Sequence, residues 1–288
     1  MDVIELPHPV DGEPAALHDL GGTGPALLLT HGNGLNAGMW RTALPALTQH
    51  FHCYGLDFRG HGASRPRHED FSIDRGRFVD EVLAAVAAIG APGPIVAAGH
   101  SLGGATLLRT EEHHSGTFAG LWLFEPVVIP QGWEEVRAPS MLIEASRRRR
   151  MEFDSVEEAY GRFISKPPFS GCQPEAVRAY VEIGTYPLPD GGVRLSCAGE
   201  TEARIYESNE RKDMSQLRSM MCPVVVAAGA AVAAGNDVPP RVAPLIVAGL
   251  GNGRLEMMDD LTHFAPMEDG EAVARSIIAH LEPLAGSR

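Results

Sequence analysis

The chain has 288 residues, 44% of them hydrophobic and 21% charged, enough apolar material for one large α/β domain with an insertion. Lys and Arg number 24 against 37 Asp and Glu, a formal net charge of −13, which argues against nucleic acid or an anionic membrane surface as a partner. Cys53, Cys172, Cys197 and Cys222 are scattered without a C-x-x-C pair, so buried free thiols are expected rather than disulfides or a metal site. The first residues lack a basic segment followed by an apolar one, and no apolar run approaches the ~20 residues of a membrane span. A soluble, cytoplasmic protein is expected.

In chain order, short apolar runs at 26–30, 53–57, 94–99, 120–124, 223–229 and 254–258 read as strands buried on both faces of a parallel sheet. Helical patterns alternate with them. Val79, Val82, Leu83, Val86 and Ile89 form one stripe that stops at Gly90, and "GEAVARSIIAHL" near the end has the same character. This alternation predicts an α/β fold with a mostly parallel, doubly wound sheet. The rhythm breaks between 127 and 221, where charge clusters and Pro/Gly punctuation replace strand runs. A core of 1–126 and 222–288 carrying a helical cap over 127–221 is expected. Within the cap, the RRRR run at 147–150 reads as a solvated helix face paired with nearby acids, with an acidic ligand as the alternative.

Three stretches carry chemistry. In "IVAAGHSLGGATLL" an apolar strand runs into Gly99-His100-Ser101-Leu102-Gly103 and then a helix, which is the setting of a nucleophile elbow presenting Ser101. His31-Gly32-Asn33-Gly34 closes the first apolar run, and a tetrahedral intermediate needs two backbone N–H donors, for which Asn33 and Leu102 are the natural pair. His263 follows the last strand run and has the best position of the twelve histidines to act as base for Ser101.

The order of loop, serine, acid and histidine resembles the α/β-hydrolase superfamily, over most of 15–125 and 220–282. "DFRGHGAS" at 57–64 strengthens the resemblance, and it implies a structural role for that segment rather than a catalytic one. Members of that family most often place the triad acid in a G-x-x-D pattern after the seventh strand. Here that pattern reads Gly229-Ala230-Ala231-Val232, and valine accepts no hydrogen bond. Two carboxylates remain. Asp237 lies further along the same loop and also reads as a turn residue. Glu125 ends the strand run at 120–124, where some members of the family carry the acid, and it is the expected one.

Serine at the elbow favours acyl transfer on a carboxylic ester or lactone, with no cofactor and no metal required. A carbon–carbon bond hydrolase or a perhydrolase would use the same triad, and a ligand-binding homologue without catalysis is the alternative from another class. Gly32, Gly34, Trp40, His100 and Trp133 are expected around the substrate. The substrate itself and the oligomeric state are not legible.

Overall fold

Eight strands make the central sheet of the computed structural model, which describes residues 2–7, 11–68, 70–134, 136, 140–189, 191–208, 211–229 and 238–286. They are β1 (Asp2–Pro7), β2 (Pro14–Gly21), β3 (Ala26–Thr30), β4 (His52–Asp57), β5 (Ile95–His100), β6 (Phe118–Phe124), β7 (Val224–Gly229) and β8 (Gly253–Met258). Their order across the sheet is β1-β2-β4-β3-β5-β6-β7-β8. From β4 to β8 every pairing is parallel, while β1–β2 and β2–β4 are antiparallel. All six expected strands are present. β1 and β2 escaped the pattern: four residues of β1 are exposed, and in β2 His18 and Asp19 interrupt the apolar run although its first five residues are buried.

Helix α1 (Arg75–Ile89) starts on the Asp74 side chain, which caps Gly76 N–H, and ends at Gly90 in the left-handed region. Its buried face includes Val79 and Val82 as expected, but Leu83 and Val86 are only half-buried. The stripe is rotated because Glu81 turns inward to pair with the buried Arg59 at 2.5 Å. Helix α2 (Leu102–His113) follows β5 directly. Between β6 and β7 lie α3 (Ser140–Arg147), α4 (Val156–Ile164), α5 (Pro174–Ile183) and α6 (Gly199–Glu207). The insertion is not purely helical. Residues 152–153, 193–195 and 185–187 form a three-stranded antiparallel sheet, and 129–130 pair with 211–212. Strands of two or three residues are too short to leave a period-2 signature. The core closes with α7 (Val238–Gly249) and α8 (Gly270–Leu281).

Alternate residues of each strand enter different cores. Leu27, Leu29, Val96, Ala98, Trp122, Phe124, Val225 and Ala227 pack with Val273 and Ile277 of α8. Leu28, Ile95, Ala97, Leu121, Leu123, Val224, Val226 and Ala228 pack with residues of α1, α2 and α7 on the opposite face. Burial on both faces is why these strands read as unbroken apolar runs. All four cysteines are buried free thiols. Among the described residues no helix is long and apolar enough to cross a membrane.

Candidate active site

The turn at Ser101 is built by crowding. β5 ends at His100, α2 begins at Leu102, and Ser101 between them has φ 53° and ψ −113°. Such a left-handed non-glycine residue costs of order 1–3 kcal/mol and persists only where its surroundings hold it. Here Ser101 N–H donates to Phe124 O at 2.9 Å, and Gly103 N–H donates to His31 O at 3.0 Å. The two flanking glycines are sterically required. A Cβ on Gly99 would lie 2.7 Å from Thr30 Oγ1, and one on Gly103 would lie 2.7 Å from His31 O. Leu102 is the first residue of α2, so its N–H has no intrahelical acceptor and lies at the positive end of the helix.

The loop His31–Gly34 is held by two histidine rings. His31 Nδ1–H donates to Gly32 O at 2.8 Å, and its Nε2 accepts from Phe58 N–H at 3.0 Å. Gly34 N–H donates to His61 Nε2 at 3.0 Å, while His61 Nδ1–H donates to Arg59 O at 3.0 Å. Asn33 Nδ2 donates to Glu202 O of α6 at 3.0 Å, tying the loop to the insertion. Each ring must be neutral to accept an N–H, and burial favours that form. It pushes His31 down to about 3 and lowers His61 as well. Sequence reasoning gave His61 no role, because its partner is a backbone amide 27 positions away, which leaves no motif. His61→Ala is expected to lower kcat by about 10- to 100-fold with a much smaller change in KM, since the loop's donors matter most when charge develops on the substrate oxygen. Steady-state kinetics with a chromogenic ester measures the split, and an effect confined to KM would contradict it.

Glu125 and His263 meet across 138 positions of sequence. Glu125 follows β6 with φ 43°, the second left-handed non-glycine residue, and is 1% exposed. Desolvating a carboxylate is costly unless it is hydrogen-bonded. Both oxygens are: Oε1 accepts from Gly229 N–H at 2.9 Å, and Oε2 accepts from His263 Nδ1–H at 2.5 Å. The Glu125 backbone N–H donates to Ala227 O at 2.9 Å, so β7 holds this residue at both ends. His263 lies in the loop after β8, where His100 Nε2–H donates to its carbonyl at 2.7 Å and the two rings lie 4.6 Å apart. His263 Nε2 and Ser101 Oγ do not hydrogen-bond in this conformation; such contacts are often long in a substrate-free site and tighten on binding. Asp237 and Val232 lie outside the described residues.

A cavity of about 870 Å³ opens between the core and the insertion, lined by Asn33, Gly34, His100, Ser101 and His263 from the core. From the insertion it takes Phe153, Phe163 and Phe169. Three residues expected around the substrate do not line it. Trp40 is fully buried in the core cluster that includes α8. Trp133 packs on the opposite core with the Arg241 guanidinium 4.9 Å from its ring centroid. Gly32 is pressed against His100, whose Nδ1 would lie 2.5 Å from any Cβ there. Each is held by its own packing, which the sequence does not display.

The buried rings also set acid stability. His31, His61 and His100 are all lowered, chiefly by burial, with the His263 charge adding to the effect at His100. A depressed histidine pKa stabilises the fold fully above the unfolded value of about 6.5, and that contribution fades as the pH falls towards the folded value. Each such ring adds a slope of about 1.4 kcal/mol per pH unit in that window. The urea midpoint is therefore expected to fall steadily from pH 7 to pH 5; a flat midpoint over that range would contradict it.

The chain belongs to the Alpha/beta hydrolase family, which matches it over residues 27–276. It is 33% identical over 118 residues to protein phosphatase methylesterase 1 of Bos taurus, covering 38% of this chain and 30% of that protein. It is 34% identical over 96 residues to the pimeloyl-[acyl-carrier protein] methyl ester esterase of Nitrosomonas europaea, covering 33% of this chain and 35% of that one. The chain thus spans about a third of the length of these curated relatives. Among solved structures, E-2-(acetamidomethylene)succinate hydrolase superposes with a TM-score of 0.78 at 17% identity, over 98% of this chain and all of that one, a likeness of fold.

Proposed function

We propose that the protein is a serine hydrolase of carboxylic esters, lactones included, acting through an acyl-enzyme on Ser101. The observation that carries this reading is the 2.5 Å contact from His263 Nδ1–H to the buried Glu125 carboxylate, with the His263 ring lining the same cavity as Ser101. That contact fixes the His263 tautomer with Nε2 unprotonated and able to accept a proton. As Ser101 Oγ bonds to the ester carbon, its proton passes to His263 Nε2. The N–H groups of Asn33 and Leu102 receive the oxyanion, and Glu125 stabilises the imidazolium. His263 Nε2–H then protonates the departing alkoxide. Water attacks the acyl carbon while giving a proton to His263, and Ser101 leaves with that proton, so ester and water become acid and alcohol. Glu125 takes the place of the acid absent from 232, and residues 127–221 act as the cap that shapes the substrate. Two of the relatives named above are methyl ester esterases, which agrees with this chemistry.

The test is p-nitrophenyl ester hydrolysis together with labelling by a fluorophosphonate probe. Turnover with a label that maps to Ser101 is expected. A folded protein that neither turns over esters nor takes the label would overturn the reading. Cleavage of a β-diketone in preference to esters would move it to carbon–carbon bond hydrolysis.

A further inference from the structure

The cavity over Ser101 has a charge opposite to that of the protein around it. The chain carries a formal net charge of −13, yet Arg148, Arg149, Arg150, Arg162 and Lys166 all line the cavity, against the single carboxylate Glu202 among its described lining residues. Three of these cations have carboxylate partners. Arg148 pairs with Glu144 at 2.9 Å, Arg149 with Glu202 at 2.5 Å and Arg150 with Glu158 at 2.6 Å. Arg162 on α4 and Lys166, one turn further along the chain, form no ion pair among the described residues. Arg149 is committed to the protein: besides Glu202 it holds Cys197 O through Nη2 at 2.9 Å, and its Nε–H is buried with no acceptor among the described residues. A buried donor left without an acceptor is unfavourable unless something fills the site.

The route from the catalytic histidine to these cations is aromatic. The His263 ring lies 6.1 Å from Phe264, Phe264 lies 5.8 Å from Phe169, and Phe169 lies 5.3 Å from Phe163. Phe163 adjoins Arg162 in sequence and precedes Lys166 by three positions. All three phenylalanines line the cavity. An apolar track therefore begins at the base and ends beside Arg162 and Lys166, two cations without a carboxylate in direct contact among the described residues.

From this arrangement we infer that the substrate is an ester with an anionic group, carboxylate or phosphate, at the far end of an apolar chain. The chain lies along Phe264, Phe169 and Phe163, and the anion is received by Arg162 and Lys166. Guanidinium forks suit either oxyanion. A field of one sign in a cleft with low-dielectric walls also concentrates such substrates from solution. The RRRR run thus has both of its sequence readings at once: its members are paired with acids, and 148–150 still face the ligand space.

This inference rests on the ester-hydrolase reading, and the experiment separates the two. Binding is measured by calorimetry on Ser101→Ala protein, which cannot turn the ligand over, with monomethyl alkanedioates of four, six, eight and ten carbons against the methyl alkanoates of equal length. An anionic preference of about tenfold is expected at the longer lengths, weakening with salt, and the ratio is expected to fall towards one in the Arg162→Gln/Lys166→Gln background. A methyl phosphonoalkanoate series run beside them identifies which oxyanion the site favours. Equal affinity for the charged and neutral esters, or a preference untouched by the double substitution, would overturn the inference. Turnover of p-nitrophenyl hexanoate by the unsubstituted protein is measured separately and reports only on the hydrolase reading.

Discussion

Ser101→Ala is expected to lower kcat for a chromogenic ester by roughly 10⁶-fold while leaving the fold intact. The elbow explains both halves of that expectation. Its geometry depends on backbone bonds from Ser101 N–H to Phe124 O and from Gly103 N–H to His31 O, and on the crowded glycines at 99 and 103, none of which involves the serine hydroxyl. Alanine keeps the Cβ, so the strain at φ 53° is unchanged. What is lost is the atom that attacks. The residual rate over water, about 10³–10⁴, is what the oxyanion donors and substrate binding supply without a nucleophile. Circular dichroism and thermal melting show whether the fold survives, and pre-steady-state kinetics of the parent show an acyl-enzyme burst that the variant lacks. Retention of more than a tenth of the parent rate would mean that Ser101 is not the nucleophile.

Glu125→Gln is expected to cost about 10⁴-fold in kcat, with KM nearly unchanged. The amide can reproduce one of the two carboxylate bonds, since its carbonyl still accepts from Gly229 N–H. It then turns its NH₂ towards His263 Nδ1–H, so two donors face each other where a donor met an acceptor. The ring relieves the clash by moving its proton to Nε2, and that tautomer cannot take the proton of Ser101. The imidazolium that forms in the transition state also loses its counter-charge. Asp237→Asn, made alongside, is expected to be nearly silent. A folded Glu125→Gln protein within a fewfold of the parent rate would remove Glu125 from the mechanism, and a collapse in Asp237→Asn alone would assign the acid to Asp237.

The elbow and the sheet were open to reading from residues alone because the forces behind them are local or periodic. A parallel strand buried on both faces has to be apolar throughout, and "IVAAGH" and "VVVAAG" are. A strand-to-helix turn that brings Thr30 within 3 Å of two flanking positions admits only glycine there, so Gly99 and Gly103 announce themselves. The absence of an acid at 232 was equally plain, because a valine side chain has no acceptor. The antiparallel edge and the insertion's strands, by contrast, left little trace. β1 is mostly exposed, and the insertion's strands are too short for any period to emerge.

The tertiary structure decided which distant groups share a site. Glu125 reaches His263 only because β7, adjacent to β6, supplies Gly229 N–H and Ala227 O to hold it, and because His100 anchors the loop after β8. His61 holds the loop His31–Gly34 through a backbone amide, a partner that every residue but proline offers, and so one that sequence cannot single out. Trp40 and Trp133 looked like substrate contacts from their neighbours in the chain, but packing draws both away from the cavity. Arg162 and Lys166 belong to no sequence motif, and only the fold sets both on the wall of the cavity that His263 and Phe264 also line. Steric and periodic requirements are written residue by residue. The meeting of a carboxylate, a base and a cation from separate elements depends on how the layers pack, and that is a property of the whole chain.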